Sequence, residues 1–448
     1  MKGWRAGGFS TGDKGITDSS PPVHIFSLFL KANLSTALFS LTVSFMQQPT
    51  LTRSRIHSID ILRGMVMIIM AIDHARDFFY KVEVSGNGTV ATGPTDLAST
   101  TPILFFTRWI THFCAPSFVF LAGVSAYLMS TRKTKTELSS FLIKRGVWLV
   151  LVEIVIVTFG WTFNPLYNIL ILQVIWAIGV SMIILGLLVW LPYKAIFAIG
   201  IIIVAGHNLL DYPSINAGLK GHLLPDLLYF SSFSTHAYAP GHVILIVYAF
   251  LPWTGIMLLG YCFGKLYAQG IDPAWRRKML IRTGWGAIAL FVLLRFINVY
   301  GDPLPWSVQP RGTVFSFLSF INVNKYPPSL QFICVTLGVA MLMLALLERV
   351  QNSFTRMMNV FGRVPMFYYI LHFYLLHIFV VVTFYASGFS NNDISTPNNP
   401  FLFRPSAFGF PLWGVYAVWL LVVIILYPLC KKYDQYKSTH KNWWLSYL

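Results

Sequence analysis

Charge is scarce in this 448-residue chain: Asp, Glu, Lys and Arg make up only 11% of it, and 16 residues in all are acidic. A water-facing domain spreads charge over its surface, so this composition excludes an ordinary soluble fold. Cysteine is nearly absent. Cys114, Cys262, Cys334 and Cys430 all fall in or at the edge of apolar runs, which leaves neither a disulfide framework nor thiolate zinc spacing. The chain has no Gly-rich phosphate loop, Ser-centred elbow or HExxH motif, which removes P-loop, serine-hydrolase and zincin chemistry. A repeat of about 20–50 residues, the mark of a solenoid, is missing too. The acidic shortfall leaves a formal net charge of +17. Membrane proteins carry such an excess of Lys and Arg on cytoplasmic loops, so no nucleic-acid partner is expected.

What the chain has in abundance is apolar surface, with 56% hydrophobic and 16% aromatic residues. Runs of about 20 apolar residues recur from end to end, the length that crosses a bilayer as a helix. The alternating pattern of an outer-membrane barrel is absent, so backbone groups in lipid must be satisfied within helices and the expected fold class is all-α. Ten spans are expected, near 60–80, 103–130, 141–163, 168–191, 194–211, 243–266, 281–300, 330–348, 364–386 and 411–430. Lys and Arg in the segments between them fall twenty-one to five in favour of one side, in strict alternation. This places both termini in the cytoplasm and makes the chain a multi-pass protein of a cell (inner) membrane, with the lipid bilayer as its first partner.

Residues 1–50 read as an N-terminal extension, 51–440 as the transmembrane domain and 441–448 as a cytoplasmic tail. The run from Val23 to Phe45 is interrupted by Lys31 and Asn33, and the ordinary-looking start MQQPTLTRSR suggests that synthesis begins at Met46. The connecting segments 81–102, 212–242, 301–329 and 387–410 are long and rich in Pro, Gly, Asn and Ser, enough to form a cap or a substrate mouth.

Chemistry concentrates in the first span, SIDILRGMVMIIMAIDHARDFFY. Arg63 lies near its cytoplasmic end, and Asp73, His74, Arg76 and Asp77 near the outer one. At 1.5 Å per residue, Arg63 and His74 are roughly 16 Å apart along the helix, far enough to touch opposite ends of one elongated ligand. Ionisable groups at this depth face a cavity or a partner, which makes function the first reading. The plainer reading is a local ion-pair network of Asp73, Arg76 and Asp77 at the water interface, with His74 snorkelling. Asp73 and His74 suggest general-base chemistry, but adjacent helical residues point about 100° apart, so the partner of His74 should come from another span. His112 in the second span reaches a similar depth beside Pro116 and small residues; alone, it is equally an interhelical hydrogen-bonder.

The same outer layer receives His207, Asn208 and Asp211, then His236 and His242, then Arg295 and Asn298. Polar groups converging at one depth from several spans argue for a substrate site. HAYAPGH lacks a carboxylate or cysteine, so no metal is expected there. His372 and His377 in span nine are five positions apart and share no face, so each serves a different contact or packs beside aromatic neighbours. Glu153 and Gln173 read as buried hydrogen-bonders.

IDILRG opening the first span, DHARDFF closing it, HFCAPSFVFLAGVSAYL, LQVIWAIG and FGRVPMFYYILHFYLLH together resemble the bacterial relatives of heparan-α-glucosaminide N-acetyltransferase, across 56–440. The ten residues between Arg63 and His74 also fit the Arg-x10-His pattern of the wider transmembrane acyltransferase superfamily. The resemblance implies transfer of an acetyl group from cytoplasmic acetyl-CoA to an amine or hydroxyl of an extracytoplasmic carbohydrate. It implies His74 as the base or acyl-handling residue, Arg63 and Arg145 as partners of the CoA phosphates, and the outer loops around the glycan; the polar outer layer supplies Arg76, Asp77, His207, Asp211, His242, Arg295 and Asn298 as the candidate substrate-binding residues. In one respect the chain departs from the family. Asp73 stands where the lysosomal member has Asn, and 81–102 contains no His, so His74 and His112 compete for the catalytic role. A homodimer is compatible with this class, and the rival reading is a transporter using the outer polar layer as a solute or proton pathway.

Overall fold

The computed structural model describes residues 56–81, 93–395 and 401–446. The run over 23–45 and the start at Met46 therefore lie outside the described residues. Each of the ten apolar runs contains helix. In chain order, the α-helices of at least five residues among the described residues are α1 (His57–Phe79), α2 (Pro102–Thr111) continuing into α3 (Cys114–Ser130), α4 (Lys135–Val152) and α5 (Thr158–Thr162), then α6 (Val174–Leu188), α7 (Tyr193–Gly206) and α8 (Phe250–Phe263). The rest are α9 (Pro273–Ile297), α10 (Thr313–Ile321), α11 (Leu330–Leu347), α12 (Ser353–Arg363), α13 (Pro365–Ala386) and α14 (Leu412–Thr439). Among the described residues, six helices are long and apolar enough to cross a membrane: Pro102–Ser130, Tyr193–Asp211, α9, α11, α13 and α14. α1 has the length, at 23 residues, but carries Asp60, Arg63, Asp73, Arg76 and Asp77. It tolerates them because other helices surround it: α2, α3, α11, α12, α13 and α14 all pack on it, and Asp60, Asp73, His74 and Arg76 are buried.

Two expected spans do not run as helix throughout. The windows at 168–191 and 243–266 begin as β1 (Ile169–Leu172) and β3 (His242–Ile246), which pair in parallel. β2 (Ser234–Ala239) adds an antiparallel edge to β3, giving the order β1-β3-β2. A short apolar run such as Ile-Leu-Ile-Leu reads the same in a strand or a buried helix, and the strand is tolerated because its backbone finds partners within the protein. The break between β1 and α6 leaves helical N–H groups exposed, and Gln173 makes no side-chain cap. Glu153, fully buried in a π-helical turn after α4, supplies the acceptor instead: Trp176 N–H donates to its carboxylate at 2.9 Å.

Helix pairs cross where glycine faces glycine. At the α3–α8 crossing a Cβ on Gly123 would strike the Met257 carbonyl, and one on Gly260 would strike the Phe120 carbonyl. Close backbone approach through small residues is how helices associate in lipid, where apolar burial between them gives little. Gly260→Val is therefore expected to destabilise the solubilised protein by about 1–3 kcal/mol or more, read as a lowered thermal midpoint. An unchanged midpoint would show that this crossing can open without cost.

Candidate active site

The last two turns of α1 present Asp73, His74, Arg76 and Asp77 to a cavity of about 510 Å³. Its other walls come from far along the chain: Arg108 and Thr111 from α2, Trp161 from α5, Gln173 from the head of α6, Tyr248 after β3, and Lys325, Tyr326 and Arg404 from connecting segments.

His74 is held from behind. Its Nδ1 lies 2.7 Å from Nε2 of His372, and Nδ1 of His372 lies 3.2 Å from the Tyr368 carbonyl oxygen. A carbonyl oxygen only accepts, so His372 carries its proton on Nδ1 and offers Nε2 as an acceptor. His74 then donates from Nδ1, and its Nε2 keeps a free lone pair. Among the described residues Nε2 of His74 has no hydrogen-bond partner, and the ring borders the cavity. Phe373 at 4.4 Å and Trp161 at 5.4 Å between ring centroids fix its plane.

Asp73 does not touch His74. Its carboxylate sits between Arg76, at 2.9 Å, and Arg108, in closer contact still. Arg76 also meets Asp77 at 2.5 Å, and Arg108 donates to the Tyr326 hydroxyl at 3.0 Å. Burial pushes the Tyr326 phenol up, but Lys325 and Arg108 beside it outweigh that and hold it below its ordinary value. Burial brings Arg404 down to about 10, with Asp77 opposing; its guanidinium donates to the Asp77 carbonyl at 2.9 Å.

Of the expected site residues, Asp73, His74, Arg76 and Asp77 line this cavity. His112 does not: it is buried edge-on to the Phe332 ring at 5.4 Å. Arg295 spends its guanidinium on the carbonyls of Leu304, Ser319, Phe320 and Asn322 and on Gln331, which clamps the chain around α10 onto α9. Asn298 grips the Trp306 backbone from both sides. His207 meets the Pro328 carbonyl at 2.8 Å, and Asp211 accepts from Asn208 and Tyr229. His242 is half-exposed at the β2–β3 turn, against the Pro240 carbonyl. Arg63 is tied to Asp60 and Ser125, both at 3.1 Å, and neither it nor Arg145 on α4 reaches the cavity wall.

The sequence puts the partner of His74 on another span, and the structure shows it to be His372; the places of Arg108, Trp161, Lys325, Tyr326 and Arg404 on the cavity wall come from the structure alone. Arg108 did carry a signal, since an arginine inside the apolar run of TRWITHF is itself anomalous. No potential metal site of three or more His, Cys, Asp or Glu occurs among the described residues.

Membrane-length apolar helices around a cavity bordered by an imidazole make this a multi-pass membrane protein. Residues 55–297 match the family model described as heparan-alpha-glucosaminide N-acetyltransferase, catalytic, and the chain belongs to that family. It is accordingly a transmembrane acetyltransferase. No curated protein matches the chain. The matched segment contains Asp73, His74 and Arg108, whereas His372, Lys325 and Arg404 come from the chain beyond it.

Proposed function

We propose that the protein moves an acetyl group from acetyl-CoA to an amine or hydroxyl of a sugar presented at the cavity, with the donor on the cytoplasmic side and the acceptor outside. The observation that carries this reading is the free Nε2 of His74, backed through Nδ1 by His372 and the Tyr368 carbonyl. His74 Nε2 takes the proton from the acceptor nitrogen or oxygen as that atom attacks the thioester carbonyl. His372 accepts from the Nδ1–H of the resulting imidazolium and shares its charge. Collapse of the tetrahedral intermediate breaks the carbon–sulfur bond, and His74 returns the proton to the departing thiolate. Products are the acetylated sugar and CoA thiol, and the imidazole is neutral again. Asp73, held between Arg76 and Arg108, acts here as an electrostatic anchor for the cavity wall and not as the orienting carboxylate of His74.

The test is acetyl transfer by purified protein from labelled acetyl-CoA to amino and neutral sugars, with products identified by mass. Acceptor-dependent CoA release with a matching acetylated sugar is expected; no transfer to any amine or hydroxyl sugar would remove the reading. His372→Ala should lower kcat by about tenfold to a hundredfold through loss of the tautomer lock, and His372→Gln, which can still accept from His74 Nδ1–H, should recover part of it. Equal loss in both would reduce His372 to packing.

A further inference from the structure

Attack on a thioester builds negative charge on its carbonyl oxygen, and acyl-transfer sites stabilise that charge with an N–H donor held in place beforehand. Gln173 brings a carboxamide to the wall of the His74 cavity, and its main chain is fixed on every side. The Leu172 carbonyl before it accepts from the N–H groups of Val247 at 3.0 Å and Tyr248 at 3.1 Å, and its own carbonyl accepts from Ala177 N–H at 3.1 Å. Its N–H and that of Ile175 join Trp176 N–H on the buried Glu153 carboxylate. A helix is ordinarily capped by the side chain of the residue that heads it. Here Glu153 takes that place, so the helix head is already satisfied and the Gln173 amide is released from capping. Among the described residues the side chain of Gln173 makes no hydrogen bond. Irregular backbone at membrane depth is tolerated where it lines a cavity, and the break between β1 and α6 delivers this one amide to the chamber. The arginines on the same wall are engaged elsewhere, Arg76 and Arg108 by Asp73 and Arg404 by the Asp77 carbonyl.

We infer that Gln173 is a catalytic residue whose side-chain N–H donates to the acetyl carbonyl oxygen of the thioester, and that Glu153 is its positioning residue. This rests on the acetyltransferase reading above. As the acceptor atom bonds to the carbonyl carbon, the π electron pair of the C=O moves onto oxygen, and the Gln173 N–H meets the charge that forms there. No proton leaves the amide. When the intermediate collapses, the pair returns to re-form the C=O and the carbon–sulfur bond breaks, with His74 handling the proton on the acceptor and thiolate side. Glu153 acts through the helix head alone: without its carboxylate, the Gln173 amide can turn back to cap α6 and leave the cavity.

The experiment combines the kinetics of wild type, Gln173→Met and Gln173→Glu with the infrared spectrum of bound acetyl-CoA isotopically labelled at its carbonyl carbon. Binding to wild type should move the carbonyl stretch to lower wavenumber, and Gln173→Met should abolish most of that shift. In Gln173→Met kcat should fall by about a hundredfold or more, the loss of one such donor. The factor should be the same for amino and hydroxyl acceptors, with acceptor KM held within a few fold. Gln173→Glu keeps the shape without the donor and should be at least as slow; it decides by the same two readouts if Gln173→Met does not fold. A loss confined to acceptor KM would make Gln173 a sugar contact, and a full carbonyl shift in Gln173→Met would hand the oxygen to another donor such as Lys325. Either result overturns the inference. Glu153→Gln, which still accepts from the helix head, should keep most of the rate, whereas Glu153→Ala should lose it. Adding Gln173→Met to Glu153→Ala should then cost little more, and fully multiplied losses would end the positioning role. A carbonyl shift that depends on Gln173, with no transfer to any sugar, would uphold the donor while removing the sugar-acetylation reading. Acetyl-CoA that neither binds nor reacts would remove both.

Discussion

Replacing His74 with alanine is expected to lower acetyl transfer by about a hundredfold to ten-thousandfold, the range that a positioned general base supplies. The loss should appear in kcat more than in KM, because the imidazole acts when the acceptor proton moves and contributes little to holding either substrate. His112→Ala is the matched comparison. Its ring lies buried against Phe332 and outside the cavity wall, so its removal should leave the rate within a few fold while lowering stability modestly. A His112 variant that loses transfer while His74→Ala keeps it would reverse the assignment. A second outcome is informative in another way: if both variants stay active, proton removal is left to solvent and the cavity serves mainly to position the reactants.

The second large effect concerns Asp73. Its carboxylate separates the Arg76 and Arg108 guanidinium groups in a layer where all three residues are at most 9% exposed. Removing one partner of a buried charge cluster leaves the others uncompensated, a loss of about 3–5 kcal/mol. Asp73→Ala should therefore lower the thermal midpoint of the solubilised protein markedly, or prevent recovery of folded material. Asp73→Asn keeps the shape and some hydrogen bonding but not the charge, and should fall between. Arg108→Met alone should also be costly. Combined with Asp73→Asn it should cost less than the two separately, since the residual unpaired charge is then gone. Simple additivity would mean that the three groups do not act as one unit. Arg108 also holds the Tyr326 hydroxyl, so its loss should also loosen the connecting segment that forms this wall of the cavity.

Much of this was legible in local pattern. Hydropathy over windows of about 20 residues finds helix wherever a segment must satisfy its own backbone in lipid, and helix occurs in all ten windows. Cost also shows locally: Asp73, His74, Arg76 and Asp77 are conspicuous because ionisable groups are expensive in a span. Segments from IDILRG to FGRVPMFYYILHFYLLH carry enough residue identity to indicate the family, which the match over 55–297 establishes.

Tertiary structure decided which of these polar groups face a common space. His74 and His372 are 298 residues apart in the chain, and no periodicity encodes a contact at that separation. Arg295, Asn298, His207 and Asp211 look like site residues by depth, yet folding engages them with neighbouring backbone and side-chain groups. Depth along a helix is a local property that composition reveals. The direction of a side chain around the helix, and the partner that meets it there, depend on packing between distant segments, and it is packing that placed Lys325 beside the imidazole-bearing cavity and turned His112 away from it.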